Sequence, residues 1–296
     1  MPATPSVFVS SLLGNTQLLD GGAMFGNAPR PVWERWITPD TLGRIPLACR
    51  ALLVEIDTKK ILCETGIGAY MEPALASRYG VVERDHQLLN SLEALGLTDV
   101  DIDFVILSHL HFDHAGGLLK SYQDGAPLEL LFPKAHYVVG REAWERARHP
   151  HFRDRASFIP GLCELLERSG RLRILEATED HLPEFPKTVL SFRISNGHTP
   201  GQLHTLVRGA TEVLAYAGDL IPGKAWVHLP ITMGYDRYPE QVIDEKEELY
   251  KLAVPEGWII FYTHDAKVAA SRIIKDDKGR YVTSDEHENL VRLVLN

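Results

Sequence analysis

Asp103-Phe104-Val105-Ile106-Leu107-Ser108-His109-Leu110-His111-Phe112-Asp113-His114-Ala115-Gly116-Gly117 opens as an apolar run rich in β-branched and aromatic residues. The run is short enough to be one buried strand. It then breaks into three histidines and an aspartate within six residues. Such a cluster at the end of a buried strand is poor core material and good metal-site material. Neutral imidazole is the commonest metal ligand, and a carboxylate beside it adds the charge that a divalent cation needs. His109 and His111, two apart, project to the same side of an extended segment. Asp113 and His114 are adjacent and point different ways, which suits a second ion next to the first. Gly116-Gly117 is expected to let the backbone turn tightly before Leu118-Leu119 begins another packed segment.

Three more apolar segments end in the same kind of residue. Residues 189–195 run into Asn196-Gly197-His198-Thr199-Pro200-Gly201, residues 213–217 into Gly218-Asp219, and residues 258–262 into Thr263-His264-Asp265. A lone histidine after a strand is usually a turn residue. Four strand ends that together offer five histidines and two aspartates are a way to hold ions on loops fixed by a rigid sheet. His109, His111, Asp113, His114, His198, Asp219 and His264 are therefore the candidate ligands, enough for two ions with positions left open for water and substrate.

The rest of the chain reads as alternating strands and helices. Residues 7–13 and 17–19 look like strands joined across Gly14-Asn15, a two-residue hairpin signal. Residues 47–57 and 60–63 form a second hairpin across Thr58-Lys59, followed by the turn Glu64-Thr65-Gly66-Ile67-Gly68, which lacks the Lys and Ser/Thr of a phosphate loop. Helices are expected over 72–79, 85–95, 141–148, 160–168 and 240–252, and further strands over 136–139 and 203–207. Between Asp20 and Pro46 lies a long stretch of turn formers and aromatics without a period. It reads either as a binding loop or as a loop packed by its own aromatics; Met24, Phe25 and Trp33 are its candidate substrate contacts. His149 and His151, flanking Pro150, read as surface residues.

The 296 residues carry a net charge of -9, which argues against a nucleic-acid groove. An apolar fraction of 45% and a charged fraction of 24% are ordinary for a globular protein. Cys49, Cys63 and Cys163 fit no disulfide or metal-knuckle framework, so reduced thiols are expected. No run approaches a membrane span and the first residues show no cleavage signature. The expectation is one domain over 1–296, cytoplasmic, acting on a small molecule with no nucleic-acid or membrane partner; a homodimer is compatible with this.

With paired N-terminal hairpins, His-x-His-x-Asp-His, Gly-His-Thr-Pro-Gly, Gly-Asp and a late Thr-His, the whole chain resembles the metallo-β-lactamase superfamily. The resemblance implies an α/β fold, a four-layer αβ/βα sandwich with two metals at the common edge of its sheets. His109, His111 and His198 would hold one ion, Asp113, His114 and His264 the other, and Asp219 would bridge them. Zinc is the expected ion, although imidazole and carboxylate suit Fe, Mn and Co equally. Within the superfamily, the stretch from Leu19 to Gly26 and the histidine cluster look most like quorum-quenching N-acyl-homoserine lactonases, with related methyl parathion hydrolases sharing similar motifs. The implied reaction is the opening of a lactone ester by a metal-bridging hydroxide, with Asp113 orienting the hydroxide and passing its proton to the leaving alkoxide. A phosphotriesterase, arylesterase or other ester-type hydrolase on the same centre is the alternative, and a glyoxalase-type thioesterase a more distant one. Some lactonases place a tyrosine three residues after the bridging aspartate; here that position is Pro222, with Tyr216 and Tyr235 as conceivable substitutes.

Overall fold

The computed structural model describes residues 6–295. Among the described residues fifteen strands form in chain order: β1 (Val7–Leu13), β2 (Gln17–Asp20), β3 (Arg44–Leu47), β4 (Arg50–Ile56), β5 (Lys59–Cys63), β6 (Phe104–Ile106), β7 (His136–Gly140), β8 (Leu172–Leu175), β9 (Leu190–Ser195), β10 (Gln202–Arg208), β11 (Val213–Tyr216), β12 (Ile259–Phe261), β13 (Ala270–Lys275), β14 (Tyr281–His287) and β15 (Leu293–Val294). They assemble into a seven-stranded sheet, β15-β1-β4-β5-β6-β7-β8, a six-stranded sheet, β14-β13-β12-β11-β10-β9, and a two-stranded ribbon of β2 and β3.

The layering follows from side-chain alternation along the strands. In β4, Leu52, Val54 and Ile56 point into a core shared with Leu203, Leu214 and Phe261 of the second sheet. Ala51 and Leu53 point the other way, into a core with Leu88, Leu92, Trp144 and Leu166 of the helices Gln87–Ala94, Arg141–Arg148 and Leu162–Arg168. The outer face of the second sheet packs on the helix Pro239–Glu256 through Leu249, Tyr250 and Ala253. Helix, sheet, sheet, helix is the expected αβ/βα sandwich. Both central strands are buried on two faces, which is why they read as continuous apolar runs rather than alternating ones.

The first hairpin is not one. β1 pairs with β4 and β15, and β2 pairs with β3, so Gly14-Asn15 carries the chain from a sheet to a separate ribbon. Gly14 donates its N–H to the Cys49 carbonyl at 3.1 Å, so close that a Cβ there would sit 2.2 Å from that oxygen. Buried Asn15 donates to the carbonyls of Glu83 and Asp85. Close backbone approach, not turn geometry, explains both residues. The second hairpin forms, with its turn at Asp57-Thr58 and Ile56 opposite Lys59.

The stretch 21–46 is not structureless. It holds two short helices, Gly21–Phe25 and Arg30–Trp33, and ends in β3. Asp20 caps the first by accepting from the Ala23 N–H at 2.7 Å. Three strands after residue 264, β13 to β15, were not legible in advance; β15 returns to the edge of the first sheet beside β1. Among the described residues no helix is long and apolar enough to cross a membrane, and all three cysteines are free.

Candidate metal centre

The four ligand-bearing segments share one geometry. β6 ends at Ile106, β9 at Ser195, β11 at Tyr216 and β12 at Phe261, and His109, His198, Asp219 and His264 each lie three residues further on. β11 and β12 run parallel with Tyr216 opposite Phe261, so Asp219 and His264 leave the sheet side by side. In the other sheet Ile106 is level with Cys63 of β5, which delivers Glu64 to the same edge. A sandwich of two such sheets brings all these ends to one rim, where side chains from distant parts of the sequence meet.

All seven candidate ligands converge there. Nε2 of His109 lies 2.9 Å from Nδ1 of His111. His109, His111 and His198 offer ligand atoms within one ion's reach of each other, and so do Asp113, His114 and His264. Asp219 stands between the two groups. Its Oδ2 is 3.4 Å from Nε2 of His198, while its Oδ1 is 3.3 Å from Nε2 of His114 and 3.1 Å from Nε2 of His264. Asp113 approaches His264 at 3.7 Å and His114 at 3.8 Å.

Behind the ligands stand groups that sequence reasoning missed. Asp236 is buried with Oδ1 2.8 Å from Nδ1 of His198 and Oδ2 accepting from the Met233 N–H. Glu64, fully buried, places Oε2 3.0 Å from Nδ1 of His114. The Ala48 carbonyl lies 2.8 Å from Nδ1 of His264, and the Ser108 hydroxyl 2.9 Å from Nδ1 of His109. Each partner fixes its ring so that the opposite nitrogen faces the centre, the usual arrangement around a metal-ligating histidine. Glu64 has a positive φ of 67°, a strained conformation for a carboxylate residue, held where a function needs it. A glutamate directly after an apolar strand, in a turn rich in glycine, is the signal that the sequence offers for it. Gly116 and Gly117 serve this loop: a Cβ on either would come within 2.1 Å of the carbonyl oxygen of Ile67 or Thr65.

The electrostatics divide. Burial pushes His109 and His111 well below the ordinary imidazole value, and the neighbouring imidazoles push the same way. Burial opposes charge on His114 and His264 too, but Asp219, joined at His114 by Glu64 and Asp113, raises both well above it. Burial works against the Asp219 carboxylate, yet His114, His264 and His198 hold it well below the usual carboxylate range.

The centre forms the floor of a cavity of about 400 Å³ lined by His111, Asp113, His198, Asp219 and His264. A larger groove of about 790 Å³ elsewhere contains none of the seven, so ligand convergence and not volume marks the site. Of the candidate substrate contacts, Met24 lines the cavity; Phe25 and Trp33 do not. Phe25 is sandwiched between Trp33 and Trp226, centroids 5.5 and 4.5 Å away, inside a fully buried aromatic stack. The loop is thus packed by its own aromatics and reaches the cavity through Met24 alone, with Leu19 and Leu47 of its ribbon beside it. Tyr216 is buried with its hydroxyl 3.1 Å from Thr263 and does not line the cavity, whereas Tyr235 does. Pro222 uses its carbonyl to accept the His264 N–H at 2.8 Å. His149 and His151 are exposed.

The residues present fit a pair of divalent cations. The set is five imidazoles and two carboxylates, and Nε2 of His198 is buried without a hydrogen-bond partner beside Asp219. Unsatisfied buried polar atoms of that kind are costly unless an ion takes them up. Fold and site together define a metal-dependent hydrolase. A family model described as metallo-beta-lactamase superfamily matches residues 44–264, and the chain belongs to that superfamily. It is 25% identical over 244 residues to the N-acyl homoserine lactonase AiiA of Bacillus thuringiensis subsp. kurstaki, covering 77% of this chain and 85% of that one. Among solved structures it is similar to a probable metal-dependent hydrolase from Staphylococcus aureus, with a TM-score of 0.83 and 25% identity over 96% of this chain and 99% of the other. It also superposes on AidC, a dizinc quorum-quenching lactonase, with a TM-score of 0.75 and 20% identity over 96% of each chain.

Proposed function

We propose that this hydrolase opens the ester of N-acyl homoserine lactones. The observation that carries the reading is a cavity with both apolar and polar lining above the seven candidate ligands. Leu19, Met24, Leu47, Phe112 and Met233 supply its apolar lining, and Arg153, Ser157 and Tyr235 supply polar groups. An acyl chain fits the first and the amide and lactone carbonyls the second. The 25% identity to AiiA supports the same assignment.

His109, His111 and His198 would hold one ion, with zinc expected, and Asp113, His114 and His264 the second; Asp219, with an oxygen toward each group, would be shared. Bound there, the ions supply Lewis acidity, which polarises a carbonyl and lets water ionise near neutral pH. The chain's own residues do the rest. Asp113 lines the cavity and takes the proton released as water adds to the ester, then returns it to the departing alkoxide. Burial and the charge of Asp113 push the Tyr235 phenol up, so it stays protonated and can donate to the carbonyl oxygen as negative charge develops. The protein should therefore turn over N-hexanoyl homoserine lactone far faster than paraoxon or a chromogenic β-lactam, measured side by side on one metal-loaded preparation. Preferential turnover of either competitor would overturn the lactone assignment and leave the hydrolase class.

A further inference from the structure

The helix Pro239–Glu256 carries a lysine on its apolar stripe. Lys246 is fully buried and donates to three backbone carbonyls, His228 at 3.1 Å, Leu229 at 3.0 Å and Ile231 at 2.9 Å. One turn on, the Tyr250 hydroxyl donates to the Val227 carbonyl at 2.9 Å. Carbonyls of an irregular segment that turn toward a buried side chain need partners, and here a helix supplies them. That segment continues into Met233-Gly234-Tyr235, which lines the substrate cavity, and into Asp236, which holds His198.

The residue before it faces the opposite loop. Glu245 accepts from the Ser195 hydroxyl at 2.6 Å, the Asn196 N–H at 2.8 Å and the Gly197 N–H at 3.1 Å. These three residues lead directly into His198. The two loops are joined where Arg237 donates to the His198 carbonyl and Tyr238 to the Gly197 carbonyl. One helix thus grips, through adjacent residues, both segments whose meeting point is the His198–Asp236 hydrogen bond.

We propose that Glu245 and Lys246 are positioning residues that set the orientation of His198, and that Lys246 also sets the cavity wall at Met233–Tyr235. Neither touches an ion or a substrate. The inference about His198 rests on the metal-centre geometry; only the wall is read through the proposed lactone substrate. Lys246→Met keeps the buried stem and removes the donors, and Glu245→Gln keeps the shape but offers one acceptor oxygen in place of two.

Cobalt-loaded protein titrated with dipicolinate, followed by visible absorption, tests this without any substrate. Both variants should release the ion on the His198 side at chelator concentrations several-fold lower, short of the effect of losing Asp236, which bonds the ring directly. Leu249→Ala, which cuts core contacts of the same helix, should lower Tm and leave the chelator midpoint in place. In lactone assays Lys246→Met should raise KM several-fold, whereas Glu245→Gln should lower kcat with KM unmoved, because its loop carries no residue of the Met233–Tyr235 wall. If Lys246→Met does not fold, Lys246→Gln, which retains an amide donor, should show the same changes in weaker form. Chelator midpoints equal to wild type, or moving only in step with Tm as in Leu249→Ala, overturn the proposal. Absence of lactone turnover would count against the substrate and leave the chelator result to decide this inference.

Discussion

The two halves of the metal centre are built from different chemistry. His109, His111 and His198 form an imidazole-only group whose nearest carboxylate besides Asp219 is Asp236, behind His198. Asp113, His114 and His264 form a group with a carboxylate of its own, and Glu64 stands behind His114. In the first half burial holds His109 and His111 down, while Asp219 and Asp236 outweigh it at His198; in the second the carboxylates win at both rings. A field that favours a proton on an imidazole also favours a cation in its place. The difference teaches that the two positions are not equivalent: the carboxylate-rich half should hold its ion more firmly, and the imidazole-only half should yield first to a chelator.

Asp219 has an oxygen toward each half, so its loss should erase the distinction. Asp219→Ala should lose lactone hydrolysis altogether and bind both ions more weakly, as read by metal analysis after gel filtration. Near-normal occupancy of both positions would break the comparison at its centre.

Asp113 tests whether the carboxylate-rich half does more than bind. Asp113→Asn, reloaded with metal, should remain slower by about 10²–10⁴, the range expected for a positioned acid–base group. The deficit should shrink for esters whose leaving alcohol is acidic, since a good leaving group needs no proton. An equal deficit across leaving groups would make Asp113 a ligand only, with Tyr235 the next candidate among the donors that line the cavity.

The groups behind the ligands offer a matched pair. Glu64→Gln should weaken the ion held with His114, and Asp236→Asn the ion held with His198, each by about 10–100-fold. Chelator titrations of the two variants should therefore differ in which of two release steps moves. If both variants shift the same step, the halves are not independent sites.

The smallest effect concerns the metal-free protein and pH. His114 and His264 have folded-state values above the ordinary 6.5, so their contribution is fully present below about pH 6.5 and is lost as pH rises through the raised values. His109 and His111 are shifted down and act only below that point, where the unfolded chain takes up protons that the folded chain refuses. Above pH 6.5 the metal-free protein should thus lose Tm with rising pH. Metal affinity moves the opposite way, because bound imidazoles must be neutral. The gap in Tm between metal-loaded and metal-free protein should widen from pH 6.5 to 8.5, and a constant gap would show that the raised rings do not titrate in folding.

What the sequence determined by itself was periodic or local. Apolar runs of strand length, the leucines of the helix Gln87–Ala94, and a polar residue at a fixed offset after each of four strands are properties of neighbours along the chain. They were enough for the sandwich and for naming the seven candidate ligands that meet at its rim. Tertiary structure decided what depends on residues far apart in sequence. Gly14-Asn15 has the composition of a hairpin turn, but Cys49, Glu83 and Asp85 claim its hydrogen bonds, so β1 and β2 part company. Phe25 and Trp33 have the composition of a binding loop, but Trp226, some two hundred residues on, draws them into a stack and leaves the cavity to Met24. Asp236, Glu245 and Lys246 carry no marking pattern in the sequence, and Glu64 only its place after an apolar strand. They become the supports of the metal centre only because two sheets and one helix bring their partners within hydrogen-bond distance, where burial makes each unpaired polar atom too costly to leave unmet.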